Sequence, residues 1–494
     1  MSPARAEWIQ VKTDHFILTI NDSEASARDF AVRLETFDYA LRTIYGVSDT
    51  EDRLSRPIKV FALNNQLFAE TCRCPFTLAY YSPRTQGSFI LTQHLPKTDA
   101  KAKTGGWSSQ TLLLHEYSHH FMYSNFPVAY PFWYSEGFAE FNANVSFETD
   151  GSLILGYPAN YRADGIINGD VSIKQLIDPN QFGFPANMDA LYGRGWLLTH
   201  YLMLAPQRKG QLAAYLAVMN KGLRSYAAAQ QTFGDLNALN NELVAYRRGK
   251  LAAPLRIPPP PKPPAMILTK LSAGEAEILP LHLLFADGID QRYRQGPAIR
   301  AARIAAKYPG DITVQEQYAA IEILAGRLDK ADAAADLALQ RNPASVVALT
   351  RKGQVAMQRL RDAKNVDPAA WTLARAWFLK ANKGDPNAVM PLYYFYTSFV
   401  AAKAKPSTAA ITALMRAAVL APESKAVRLA LARQMLLDRD AATARTLLEP
   451  IAFAPHRSKN RNIPREIIEA IDAGDVDKAI ALATENDGKD DKDN

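Results

Sequence analysis

The segment Thr111-Leu-Leu-Leu-His115-Glu116-Tyr-Ser-His119-His120-Phe-Met-Tyr-Ser124 decides how the rest of the chain is read. It contains His-Glu-x-x-His. Leu112 to Leu114 and Phe121-Met122 supply the apolar sides of a buried helix, and Ser108 or Ser109 can cap its start. On that helix His115 and His119 stand at i and i+4 and project from one face. Two imidazoles so placed can bind one zinc ion, and Glu116 can act as general base towards a water at the metal. His120 faces about 100° away and is expected to be a core or surface histidine rather than a ligand.

Outward from this segment, the chain runs to 494 residues, enough for about three domains or two large ones. With 48% hydrophobic and 22% charged residues it is an ordinary globular sequence, which excludes a mainly disordered or collagen-like chain. No stretch approaches the ~18–20 uninterrupted apolar residues of a membrane span, so no transmembrane segment is expected. The net charge of +7 is thinly spread, and no nucleic-acid partner is expected from it. Cys72 and Cys74 are the only cysteines and read as two thiols, because one intervening residue strains a mutual disulfide. Ala4-Arg5-Ala6 has the small-x-small form of a signal-peptidase site without an apolar core before it. That favours an exported, periplasmic protein with a truncated or misassigned signal over a cytoplasmic one.

The first 250 residues read as mixed α and β. Strands are expected at His15–Ile20, Ile58–Ala62, Ser88–Thr92 and Ser152–Leu155, with helices at Ser23–Tyr45 and near 187–205, 209–220 and 236–249. A proline tract, Pro258 to Pro261 and Pro263-Pro264, marks a stiff linker over 251–265. Beyond it the chain is alanine-rich, helical and repetitive. Ala331, Ala335, Ala338 and Pro343 recur in spacing as Ala374, Phe378, Ala381 and Pro386, and again as Ala410, Leu414, Ala417 and Pro422. Gly326 falls where a helix–helix turn is needed, and Gly474, Ala479 and Ala483 suggest a last partial copy. This pattern resembles the tetratricopeptide repeat over about residues 290–484. An alanine-rich bundle without repeat curvature is the alternative. Residues 485–494 form an acidic, polar tail expected to be disordered.

A second motif follows the first: Pro131-Phe-Trp133-Tyr-Ser-Glu136-Gly137-Phe-Ala-Glu140-Phe141. Together the two resemble the gluzincin metallopeptidases, in particular the peptidase-MA-like group related to the zinc aminopeptidases. The resemblance implies that Glu136, on a second helix, is the third zinc ligand. Two imidazoles and a carboxylate leave a fourth position for water, as catalytic zinc requires. A metzincin arrangement fails, because Asn125 stands where its third histidine belongs. Glu140, one turn after Glu136, is either a hydrogen-bond partner of a ligating histidine or a solvated helix carboxylate. The segment Tyr192-Gly-Arg194-Gly195 resembles the Tyr-x-Lys-Gly of the zinc aminopeptidases, which implies that the Tyr192 hydroxyl supports the oxyanion. A buried structural tyrosine is the other reading, and His200 is a weaker candidate for the same role. The amine-gripping Gly-x-Met-Glu-Asn of those enzymes has no counterpart in Thr85 to Thr98, so typical aminopeptidase activity is not implied. Strand Ser88–Thr92 is expected to offer an edge for an extended peptide.

The expectation is therefore an α+β zincin-like metallopeptidase domain over 7–250, holding one Zn2+ per chain, and an all-α tetratricopeptide-like solenoid over 266–484. Its ligands are His115, His119 and Glu136, its base is Glu116, and Tyr192 supports the oxyanion. A peptide or protein is the substrate, and the repeats offer a surface for a protein partner. The rival is a catalytically silent scaffold whose peptidase-like domain is only stapled by zinc. A zinc hydrolase acting on a non-peptide amide or ester is a third possibility.

Overall fold

The computed structural model describes residues 7–72, 77–94, 108–454 and 461–485. Ala4-Arg5-Ala6, Cys74 and the tail from 486 lie outside the described residues. The chain is mixed α and β and mostly helical. No helix among the described residues is long and apolar enough to cross a membrane.

The first part is built on a six-stranded sheet of β1 (Trp8–Lys12), β2 (Phe16–Asn21), β3 (Ile58–Leu63), β4 (Ala79–Ser82), β5 (Phe89–Gln93) and a late strand, β9 (Ile267–Lys270). The order is β4-β5-β3-β2-β1-β9, with β2–β3 and β3–β5 parallel and the other pairs antiparallel. Helix α1 (Glu24–Tyr45) follows β2. Ser23 accepts from the Ser26 N–H at its start, and Gly46 at φ 67° ends it. Strands β3 and β5 read as continuous apolar runs because both their faces are buried. Val60, Ala62 and Ile90 face α1, whose Phe30, Leu34, Phe37 and Leu41 cover them. Phe61, Leu63, Phe89 and Leu91 face the other way, onto Phe68 of helix α2 (Asn65–Cys72) and onto Leu279 and Leu283 of the first solenoid helix.

That topology corrects one expectation. Strand β5 is hydrogen-bonded on both sides, so it offers no edge; the free edge belongs to β4, whose four residues carry no sequence signal strong enough to predict it. Cys72 is another departure: it is disulfide-bonded rather than a free thiol.

After the sheet come α3 (Ser109–Asn125) and α4 (Phe132–Ala143), then β6 (Val145–Phe147), β7 (Leu153–Leu155) and α5 (Met188–Leu204). Ser108 caps α3 by accepting from the Thr111 N–H. Every residue of α4 is buried, because α3 and α5 flank it. The α4–α5 crossing is very close. A Cβ on Gly137 would lie 2.3 Å from Thr199 Oγ1 and 2.4 Å from the Gly195 carbonyl oxygen. Only glycine fits there.

The proline tract is woven into this part rather than hanging from it. Strand β8 (Leu255–Ile257) pairs with β7, and β9 pairs with β1. The solenoid follows as antiparallel helices: α6 (Ala273–Ala286), α7 (Gln295–Lys307), α8 (Ile312–Leu324), α9 (Leu328–Arg341), α10 (Val346–Asp362), α11 (Pro368–Gly384), α12 (Val389–Ala401), α13 (Thr408–Leu420), α14 (Lys425–Leu437), α15 (Ala441–Ala452), α16 (Ile463–Asp472) and α17 (Val476–Thr484). The recurring residues Ala331, Ala335, Ala338, Ala374, Phe378, Ala381, Ala410, Leu414 and Ala417 are all buried. Helices α8, α10, α12, α14 and α16 end alike, with a left-handed residue two positions past the helix. These are Gly326, Lys364, Lys403, Arg439 and Gly474. The following N–H returns to a carbonyl five residues back, as in Asn365 to Leu360 and Ala404 to Phe399. At three of these turns a basic residue accepts a conformation that costs about 1 kcal/mol relative to glycine.

The solenoid grips the first part at several places, two of them extensive. At one, α6 seals the sheet. At the other, the α13–α14 turn holds the β4–β5 hairpin, with Ser424 Oγ 2.8 Å from Thr85 Oγ1 and Ser88 donating to Glu423 at 2.8 Å. Arg416 forks onto Asp52, and Arg56 donates to the Leu420 carbonyl.

Candidate metal centre

Helices α3 and α4 bring three ligand-type atoms together. His115 Nε2 and His119 Nε2 are 3.2 Å apart, and Glu136 Oε2 lies 3.4 Å from the first and 3.5 Å from the second. In a tetrahedral site with metal–ligand bonds of about 2.0–2.1 Å, ligand atoms stand about 3.3–3.4 Å apart. The three measured separations match the edges of that tetrahedron, so these residues fit a zinc-sized ion. All three side chains are buried. Three lone-pair atoms this close, shielded from water, require a positive charge among them. In the protein alone a proton on His115 supplies it. Burial pushes that imidazole down, but Glu136, Glu140 and Glu116 outweigh burial and raise it to about 9. A bound metal would take over that charge and release the proton.

The supports around the cluster are specific. Glu140 sits behind His115, 3.5 Å from its Nδ1. It is not a solvated carboxylate but fully buried, held by Arg162 through Nε at 3.0 Å and Nη2 at 2.8 Å and by the Tyr161 hydroxyl. His119 has no such support: its Nδ1 is buried without a hydrogen-bond partner among the described residues, and the ring stacks on Tyr123. Tyr123 in turn bonds Ser135 at 2.8 Å. Neither Tyr161 nor Arg162 was predicted. They lie beyond the β6–β7 hairpin that follows α4, and nothing in their spacing marks them.

Glu116 is partly exposed at the mouth of the cluster. Its Oε2 accepts the outward N–H of Tyr81, on the edge strand β4, at 2.8 Å. Tyr192 projects from α5 beside the histidines, its ring centroid 6.5 Å from that of His115 and 5.9 Å from Phe132. The Arg162 guanidinium lies 4.7 Å over the same ring. Burial, and then Glu136, push the Tyr192 hydroxyl well above its ordinary pKa, so it is a proton donor at any physiological pH. The Gly137–Gly195 contact is what allows α5 to come this close to Glu136.

Three residues weighed from sequence lie elsewhere. His200 is buried under α5, with Nε2 at 3.1 Å from the Gly156 carbonyl oxygen and Nδ1 at 2.9 Å from the Tyr246 hydroxyl; it is a core histidine, pushed down by burial to about 4. Arg194 turns away to Asn240. His120 contacts Tyr81 and Ser124 and is likewise pushed down by burial to about 4. It therefore stays out of the cluster, as its helical position predicts.

Among the described residues, one other group brings histidine and carboxylates within ligand distance, His15 with Glu35 and Asp38. Its acceptor atoms are consumed: Asp38 takes hydrogen bonds from Arg42, Arg53 and Tyr117, and His15 bonds both Glu35 and Asp49. No protein-family model matches the chain, and no curated protein matches it.

Proposed function

We propose that the chain is a zinc-dependent metallopeptidase, with a zincin-like α+β domain and a tetratricopeptide-like solenoid. The observation that carries this reading is the meeting of His115 Nε2, His119 Nε2 and Glu136 Oε2 at 3.2–3.5 Å beside the carboxylate of Glu116. His115, His119 and Glu136 hold one ion per chain. Zinc bound there supplies Lewis acidity, which polarises a carbonyl and acidifies a water. Glu116 takes a proton from the attacking water and returns it to the leaving amine. The Tyr81 N–H fixes one of its oxygens and leaves the other for the proton. The Tyr192 O–H donates to the carbonyl oxygen as charge develops on it. Glu140 orients His115, as carboxylates behind ligating histidines do. The outer edge of β4 offers main-chain groups to an extended peptide.

Elemental analysis of purified protein tests the metal, and a quenched-fluorescence peptide library tests the chemistry. Wild type is expected to hold about one zinc per chain and His119→Ala far less. Glu116→Gln is expected to keep its zinc and to cleave on the order of 10²–10⁴-fold more slowly. A zinc-replete wild type that cleaves no peptide would favour the silent scaffold or a non-peptide substrate. A wild type that takes up no zinc from metal-replete buffer would remove the basis of the reading.

A further inference from the structure

The inner face of the later repeats carries a groove of about 1300 Å³ between α10 and α17. That exceeds the roughly 300–1,000 Å³ of small-molecule pockets and suits a length of polypeptide. Among the described residues its lining holds seven Lys and Arg and no Asp or Glu. Over the whole chain the two classes are nearly balanced, 57 against 50. The asymmetry is therefore a property of this surface and not of the composition.

Three of these cations, Lys364, Lys403 and Lys425, are placed for a ligand rather than for internal pairing. Lys364 and Lys403 occupy equivalent left-handed turn positions, at φ 48° and 53°, after α10 and α12. They stand at the same end of these two parallel helices. Lys425 begins α14 and so stands at the opposite end, and all three side chains are exposed. None of the three makes an ion pair among the described residues. Arg461 and Arg465 are different, being paired with Glu466 and Glu469, which do not line the groove. Between the cations the floor is apolar, with Val366 73% exposed and Val400, Leu429 and Ile463 beside it. The aromatic rings of the lining, Trp371, Tyr393 and Tyr396, are 1%, 6% and 1% exposed, so no ring face is open for a base to stack on.

We infer that this groove binds an acidic, apolar-interleaved segment of a protein partner, with carboxylates on Lys364 and Lys403 at one rim and on Lys425 at the other, and aliphatic side chains on the floor. The site is separate from the metal centre and does not depend on its chemistry.

Fluorescence anisotropy on the full chain tests the inference. The probe is a fluorescein-labelled peptide alternating Asp or Glu with Leu; the control has Lys at every acidic position. Wild type is expected to bind the acidic peptide, more weakly as salt rises, and to ignore the lysine peptide. Combined Lys364→Glu, Lys403→Glu and Lys425→Glu is expected to weaken binding about ten-fold or more, with the matching Gln triple in between. Lys262→Glu, in the proline tract, is expected to leave binding unchanged. Unfolding midpoints of all variants separate lost binding from lost fold, and the Gln triple carries the test if the Glu triple is unstable. A folded triple that binds like wild type would overturn the inference, as would equal binding of the lysine peptide. So would displacement of the peptide by single-stranded DNA, or binding that appears only when the chain is cut after Thr484, which would make its own acidic tail the occupant.

Discussion

Two clusters of histidine and carboxylate lie on opposite faces of α3, and they solve the same electrostatic problem differently. At His15, Glu35 and Asp38 the negative charge is answered by the chain. Arg42 donates to Asp38 at 2.6 Å, Arg53 and Tyr117 join it, and His15 bridges Glu35 at 2.7 Å and Asp49 at 2.9 Å. Burial raises the Asp38 carboxyl, but Arg53, His15 and Arg42 outweigh it and hold it below its usual range. At His115, His119 and Glu136 the lone pairs face one another at tetrahedral-edge distances. Proximity of ligand-type residues is thus a poor criterion for a metal site. What separates the two is the kind of neighbour: arginine and tyrosine donors surround Asp38, whereas Glu136 Oε2 meets two imidazole nitrogens.

The sharpest way to break this contrast is Asp38→Ala. It removes the buried acceptor shared by Arg42, Arg53 and the Tyr117 hydroxyl. A loss of about 3–5 kcal/mol in denaturant unfolding is expected, with zinc per folded chain unchanged. If that variant loses zinc while still folded, the two clusters are coupled through α3 and are not independent.

Gly137→Ala acts on the other cluster. The added methyl meets the Gly195 carbonyl and Thr199 Oγ1 and must push α4 from α5. About 1–3 kcal/mol of destabilisation is expected, together with weaker zinc retention against a chelator, because Glu136 is the preceding residue. A variant as stable and as metal-retentive as wild type would show that the close crossing does not position the ligand.

The smallest effect concerns pH. Burial pushes His15 down, but Glu35, Asp38 and Asp49 more than reverse this and raise it from 6.5 to about 9. A group raised on folding contributes stability that is fully present below pH 6.5 and fades as pH rises through about 9. Replacing it by His15→Gln is therefore expected to cost about 1 kcal/mol or more at low pH and progressively less above 9. Unfolding curves across that range measure it. A pH-independent difference would mean that His15 is neutral in the folded protein.

Much of the fold was legible because its signals are local. The α1 and α5 boundaries, the β2, β3 and β5 runs and the Ala–Ala–Pro spacing of the repeats all follow from periodicity and caps within a few residues. Strand β4 was not legible: Ala79-Tyr-Tyr-Ser82 becomes a strand only by pairing with β5. Strands β8 and β9 hid in and beside a proline tract that reads as linker, and their partners lie more than a hundred residues back. At the site, a family pattern pointed to Glu136 and to Tyr192 ahead of His200 on the same helix, and the packing of α5 turns the tyrosine to the histidines and His200 to Gly156.

What the sequence by itself determined is the relation between His115, Glu116 and His119, because helical geometry alone puts i and i+4 on one face. It also determined the apolar faces, the caps and the repeat spacing. Only the tertiary structure decided that Glu136 Oε2 meets both imidazoles, that Arg162 holds Glu140 behind them, and that Tyr81 of an edge strand holds Glu116. It also decided that the solenoid closes over the sheet and grips the β4–β5 hairpin. Each of these joins residues from different elements. The free energy that sets their separation belongs to helix crossing, sheet pairing and buried charge, and no short stretch of chain contains it.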